Sequence, residues 1–252
     1  MSLNLGSTSI DSMYLGSTKI GEAYLGSTKV YASVDPYNPL GLPPNTIRVK
    51  LSAYASDPTD QGDSRVCVDA ENKIWDITKN SNDWGTDTHG GSTYLSGSWL
   101  TKNLMIDEVL GANTSNVTNM EGLFGGGAFF LSRIALFDTR NVTNMVSFCY
   151  GVPITSIPKF DTRNVTDMRG MLHNCTELTS LPLFDLSSVT DMSNAFFATA
   201  AVQSGALALY QAASALPNVP THTDTFKNRG TDTQTGAAEL AQIPASWGGT
   251  GA

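Results

Sequence analysis

One phrase returns four times along this chain. NVTNM begins at Asn116 and again at Asn141, NVTDM begins at Asn164, and SVTDM begins at Ser188, in steps of 25, 23 and 24 residues. A unit this short cannot bury an apolar face by itself, so units of this kind must stack on one another. Within each unit the apolar positions also return. Val117, Met120 and Phe124 are spaced i, i+3, i+7, as are Val142, Met145 and Cys149; Val165, Met168 and Leu172; and Val189, Met192 and Phe196. That spacing predicts one stripe of a short helix, with the Thr after each Val and the Asn or Asp before each Met as N-terminal caps. A second triplet lies between the stripes: Leu131, Ile134, Phe137; Ile154, Ile157, Phe160; and Leu178, Leu181, Phe184. It predicts a short strand and its exit. Each unit of 113–200 therefore reads as strand, turn, short helix and return, an α/β repeat whose strands pair in parallel. The column Thr143, Thr166, Thr190 is placed to bond the coils above and below, satisfying backbone groups that buried turns leave unpaired.

Both ends of such a stack must be closed, because its terminal apolar faces otherwise meet water. After Ala200 the pattern decays. "ALALYQAASAL" reads as a helix, "THTDTF" keeps an echo of the repeat at Thr223, Asp224 and Phe226, and "GAAELAQIPASWGG" offers Ile243 and Trp247 as lids. Residues 201–252 are thus a degenerate repeat and C-terminal cap. On the other side, 45–112 reads as a β-rich cap. "TIRVKLSAY" alternates apolar and polar residues, "RVCVDAENKIWDIT" reads as two strands about a turn, and "KNLMIDEVLGAN" opens as another strand. Pro36, Pro39, Pro43 and Pro44 stiffen a linker at 35–44.

Residues 1–34 carry a second repeat, a decapeptide beginning LGST at Leu5, Leu15 and Leu25. Leu, Ile or Val, and Tyr at fixed positions suit short strands, and Gly-Ser-Thr suits the turns between them. Three such units expose about as many apolar side chains as they cover. Two outcomes stay open: a small meander folded onto its own chain, or a module completed by neighbouring subunits or another protein. In the second case Leu5, Leu15, Leu25, Tyr14 and Tyr24 are the assembly residues.

Totals narrow the function. The formal net charge is −8 and Lys and Arg never cluster, which argues against a nucleic-acid surface. No apolar run approaches a membrane span, so no membrane insertion is expected. "MSLNLGSTSI" has neither a basic n-region nor an apolar h-region, so no secretory signal is expected. Cys67, Cys149 and Cys175 cannot all pair and form no CxxC, which suits thiols in a protein folded in a reducing cytoplasm.

"FDTRNVTDMRGMLHNCTELTSLPLFDLSSVTDMSNAFF" resembles the BspA-like leucine-rich repeats, whose units read F-D-T-S-N-V-T-D-M-x-x-M-F-x-x-C-x-x-L. The resemblance implies a short leucine-rich-repeat solenoid of about 4–5 units, with a β-rich N-terminal cap and a small N-terminal β module. Gly126 to Ala128 and Tyr150 to Pro153 depart from the pattern. Members of that family on bacterial surfaces look like adhesins. The tandem Y-L-G-S-T-K-I/V segments, together with "ELAQIPASWGG", resemble a different set, the structural proteins of gut bacteriophages and prophages.

No GxSxG, HExxH, P-loop or Rossmann glycine pattern is present, and "FGGGAFF" at 124–130 lacks the Lys-Ser/Thr of a phosphate loop. No enzyme activity and no cofactor are expected. Asp138, Asp161 and Asp185 recur at one position, either as a Ca²⁺ column or as caps of their own turns. Arg140 and Arg163 share another, either as a site for an anionic glycan or a partner carboxylate, or as a solvated stripe. Trp84, Tyr94 and Trp99 stand in a loop-rich stretch, either as a sugar-stacking surface or as core of the cap. The leading expectation is a virion protein assembled in the bacterial cytoplasm: a fibre, spike or decoration. It would join other virion proteins through 1–34, form a homo-oligomer with a trimer favoured, and display the repeats to a host surface glycan or protein. The alternatives are a bacterial cell-surface adhesin and an intracellular scaffold.

Overall fold

The computed structural model describes residues 35–53, 63–85, 105–125 and 130–251, and the backbone of four short strands between residues 13 and 32. Those four strands make two antiparallel hairpins. β1 (Met13–Leu15) pairs with β2 (Thr18–Ile20), and β3 (Glu22–Leu25) pairs with β4 (Thr28–Ala32). The closing pairs are Leu15 with Thr18 and Leu25 with Thr28. The Leu and Thr of these LGST copies are therefore paired across strands, and each strand pair joins the tail of one decapeptide to the head of the next. Leu5 lies outside the described residues.

The cap is a five-stranded mixed sheet in the order β6-β7-β5-β8-β9. Its strands are β5 (Thr46–Ala53), β6 (Asp63–Asp69), β7 (Ile74–Lys79), β8 (Met105–Asn113) and β9 (Arg133–Ile134). The alternation in β5 buries Ile47, Val49 and Leu51 against Ile77, Ile106 and Val109. Its other face carries ion pairs across strands: Arg48 with Asp76, Lys50 with Glu108, and Glu108 with Arg133. All pairings are antiparallel except β8 with β9. Since β9 belongs to the first repeat unit, that parallel pair fastens the cap to the repeats. A second fastening is backbone: the Trp84 N–H donates to the Asn119 carbonyl, and the Thr118 N–H to that of Asn82.

The expected α/β leucine-rich-repeat solenoid is not what forms. Among the described residues, 113–200 holds no helix, and the only unit strand is β9. The described residues are β-rich, with two short α-helices, α1 (Ala206–Ser214) and α2 (Gln234–Leu240), and one 3-10 turn (Ala245–Trp247), all beyond the repeats. Hydrogen bonding explains the difference. In the third unit the N–H groups of Met168, Gly170, Leu172 and Asn174 donate to Asp191, Ser193, Ala195 and Phe197 of the next unit. The intervening N–H groups of Met171, His173 and Cys175 fold back on Met168, Gly170 and Leu172. Every second donor thus leaves for the neighbouring coil, whereas a helix would keep them all within the segment. This zigzag needs a left-handed residue every four positions: Ser147 and Gly151, Gly170 and Asn174, Asn194 and Ala198, Asp224 and Asn228 all have positive φ. Left-handed residues in that rhythm cannot sit in a right-handed helix, yet the turns still return an apolar stripe to one side. The residues expected as helix caps close Asx turns instead: the Asn119, Asn144, Asp167 and Asp191 Oδ1 atoms accept from the N–H two residues on.

Units stay in register through a line of parallel bridges running Asp83, Asn119, Asn144, Asp167, Asp191, Thr221. Beside it the N–H groups of Thr143, Thr166, Thr190 and Thr221 each donate to the Thr carbonyl of the preceding unit. Thr221 therefore takes the Asp position of the last unit and Phe226 the Phe position. The echo seen in the sequence was correct at Phe226 and three residues late at Asp224. The apolar columns form one continuous core, with Phe124 and Phe148 at 5.2 Å, Phe148 and Phe160 at 5.7 Å, and Phe196 and Phe226 at 5.5 Å between ring centres. Trp247 closes it, stacked on His222 at 3.8 Å and edge-on to Tyr210, with its carbonyl accepting from the Phe226 N–H.

Candidate functional site

The columns that point outward are the surfaces the repeats offer. In the first, Asp138, Asp161 and Asp185 each accept the backbone N–H two residues on, from Arg140, Arg163 and Ser187. The arginines then turn back on the same acids. Arg140 donates Nε to Asp138 Oδ1 at 2.9 Å and Nη2 to Oδ2 at 2.7 Å, and Arg163 pairs with Asp161 through the same two nitrogens. The hydrogen bond from Arg140 holds the Asp138 carboxyl below its ordinary range, against the opposing effect of burial. Both guanidinium forks are thus engaged by carboxylates of their own units, although the side chains stay largely exposed. Among the described residues no group of three or more His, Cys, Asp or Glu side chains is placed to hold a metal ion.

The Pro-rich segment lies along this column. The Tyr37 ring sits 5.1 Å from the Arg140 guanidinium carbon, a cation–π distance. Asn38 exchanges two hydrogen bonds with the backbone of Leu42, and Asn113 Nδ2 donates to the Leu42 carbonyl at 2.7 Å. Leu42 itself is buried. Residues 37–42 are therefore strapped to β8 and the first Arg of the column.

The second outward column was not singled out in the sequence. Tyr150, His173 and Phe197 occupy one position of three successive units, each eight residues after the repeat Val, and their ring centres are 4.7 Å apart at both steps. Lys227 continues the position in the next unit, its ammonium 6.0 Å from the Phe197 ring. The rings are tilted by 52° and 42°, so they do not stack flat, and all three are half-buried. Burial pulls the His173 pKa down. The signal was available: aligning the units on Val142, Val165 and Val189 places the three aromatic residues in one column. Tyr150 also opens the stretch, to Pro153, that departs from the repeat pattern.

Other sequence candidates fall differently. Trp84 is fully buried beneath the first bridge of the stack, so it is core of the cap and offers no ring face to a ligand. Tyr94 and Trp99 lie outside the described residues, as do Gly126 to Phe129. Tyr14 and Leu15 are in β1, Tyr24 and Leu25 in β3.

A family model described as a Mycoplasma protein of unknown function, DUF285, matches residues 97–208. That span holds the repeats, the end of the cap and the start of α1. No curated protein and no solved structure matches the chain.

Proposed function

We propose that this chain is a structural protein of a bacteriophage virion, a fibre, spike or decoration, that adheres to the host surface through its repeat stack. The observation that carries the reading is the aromatic column. Register locked by backbone bonds brings Tyr150, His173 and Phe197 into one line on an outward face, with Lys227 at its end. Such a line is an extended contact surface, suited to a glycan chain or a protein of the host envelope. The LGST hairpins support the attachment role. An isolated two-stranded hairpin is marginal in water, so paired hairpins gain from a partner that covers them. The partners are other virion proteins, and copies of the same chain with a trimer favoured. The reading assigns no catalysis and no cofactor.

A second reading is a bacterial cell-surface adhesin. It is favoured by the family match, whose description names a protein of a cellular organism.

Two measurements test the proposal. Solution mass of the full chain and of a chain lacking residues 1–34 reports assembly. An oligomer lost on truncation supports the attachment role, and a monomer in both removes self-assembly. Binding of labelled chain to intact bacterial cells reports adhesion. Tyr150→Ala with Phe197→Ala should abolish it, and full binding by that double variant would remove the column from the proposal. Antibody against the chain then separates the readings, decorating particles in the first and the bacterial cell surface in the second.

A further inference from the structure

Two further columns flank the line of rings, five and nine residues after the repeat Val. Ser147, Gly170 and Asn194 form one, and Gly151, Asn174 and Ala198 the other, all with positive φ. In the last unit Asp224 and Asn228 continue them, on either side of Lys227. Elsewhere on the stack the Asn side chains are taken up by neighbouring coils: Asn141 Nδ2 donates to the Ser115 carbonyl and Asn164 Nδ2 to that of Arg140. Beside the rings they are not. Among the described residues the side-chain amides of Asn174, Asn194 and Asn228 make no hydrogen bond, and Asn174 and Asn228 are exposed.

We propose that the ring line binds an uncharged, linear glycan running along the stack, about one sugar to each coil. This rests on the adhesive reading above and names its ligand. A pyranose offers an apolar patch of C–H groups and, around it, vicinal hydroxyls. The rings take the first, and an amide with two donors and an acceptor takes a pair of the second. The 4.7 Å advance from ring to ring is close to that of one pyranose in an extended chain. Charge selects a neutral sugar, because each cation at the line already has a carboxylate. Lys227 donates to Asp224 at 2.9 Å and Arg169 to Asp167 at 2.7 Å, while burial keeps His173 uncharged at neutral pH. A protein partner would seat aromatic anchors within a broader packed apolar centre. Here the line is one side chain wide, and its flanks are small or polar.

Labelled full-length chain is bound to intact bacterial cells, and to the same cells after mild periodate, which cleaves vicinal diols, or after proteinase K. Periodate should remove the binding and protease should spare it. Raising NaCl to about 0.5 M, where charges are screened beyond a few ångströms, should leave it unchanged. Asn174→Gly with Asn228→Gly keeps both left-handed backbone positions and removes two amides. It should weaken binding roughly tenfold, the scale of two neutral hydrogen bonds, with an unchanged circular dichroism spectrum. Binding that survives periodate, falls with salt, or is unaltered in the Asn double variant overturns the proposal. Binding that resists periodate, is lost to protease and is abolished by Tyr150→Ala with Phe197→Ala assigns the line to a protein and leaves the adhesive reading standing. Cells that never bind the parent chain overturn both.

Discussion

The guanidinium of Arg229, with no exposed surface, lies 2.9 Å from the Glu239 carboxylate. The same carboxylate accepts from the backbone N–H groups of Gly205, Ala206 and Leu207 at the start of α1, where no side chain of the helix itself provides a cap. Arg229 Nη1 and Nη2 also reach the Val202 and Gly236 carbonyls. One carboxylate on α2 thus neutralises a buried cation, satisfies the first turn of α1 and ties the C-terminal cap together.

Removing that carboxylate strands the cation. Glu239→Ala is expected to cost about 3 kcal/mol, the scale for breaking a buried pair from one side. Arg229→Met should cost less, because Glu239 keeps its three backbone donors and partial exposure. Urea unfolding of the two variants checks the order. Equal losses would show that the pair does not act as described.

Threonines at two repeat positions bond to neighbouring coils with different burial. The Thr162 hydroxyl, fully buried, donates to the Asp185 carbonyl at 2.8 Å, and the Thr166 hydroxyl, exposed, donates to the Thr143 carbonyl at 3.1 Å. Thr162→Val should cost about 1–2 kcal/mol because it removes the hydrogen bond of a fully buried hydroxyl. At Thr166 water replaces the lost donor, so Thr166→Val should fall within about 0.5 kcal/mol. Chemical denaturation of both variants measures the difference.

Left-handed positions differ in the room they leave. At Gly170, with φ of 60°, an added Cβ would meet only ordinary contacts, the nearest at 3.4 Å, so Gly170→Ala should cost about 1–2 kcal/mol from backbone strain alone. At Gly205, with φ of 102°, an added Cβ would fall 2.1 Å from the Leu181 carbonyl oxygen. Gly205→Ala should therefore lower the thermal midpoint several times further. Comparable midpoints would mean that α1 can move off the stack freely.

His173 links stability to pH. Burial between Tyr150 and Phe197 depresses its pKa in the folded chain, while the unfolded value is near the ordinary 6.5. The neutral ring favours folding, so its contribution is full above about pH 6.5 and is lost as pH falls through the lower folded value. Between pH 7.5 and pH 5 the parent should lose more stability than His173→Phe, which keeps an aromatic ring but cannot take up a proton. Identical slopes from unfolding at the two pH values would contradict this.

The sequence by itself determined the period of the repeats, the residues that face inward, and the strands of the cap. These follow from side-chain character at fixed spacing: Val142, Val165 and Val189 are buried because an apolar residue recurs wherever the coil returns to the core. It left two roles open for Asp138, Asp161 and Asp185, a cation column or caps of their own turns, and the fold shows each accepting the N–H two residues on. What it left undecided was where the backbone donors go. An i, i+3, i+7 stripe is the same whether Met168 and Leu172 belong to a helix or to a chain of turns, because both geometries bring those positions to one side. Only the neighbouring coil, offering a carbonyl to every second N–H, selects the turns. The outward columns share that origin: Tyr150 and His173 are 23 residues apart in the chain and meet because the coils beneath them are bonded in register.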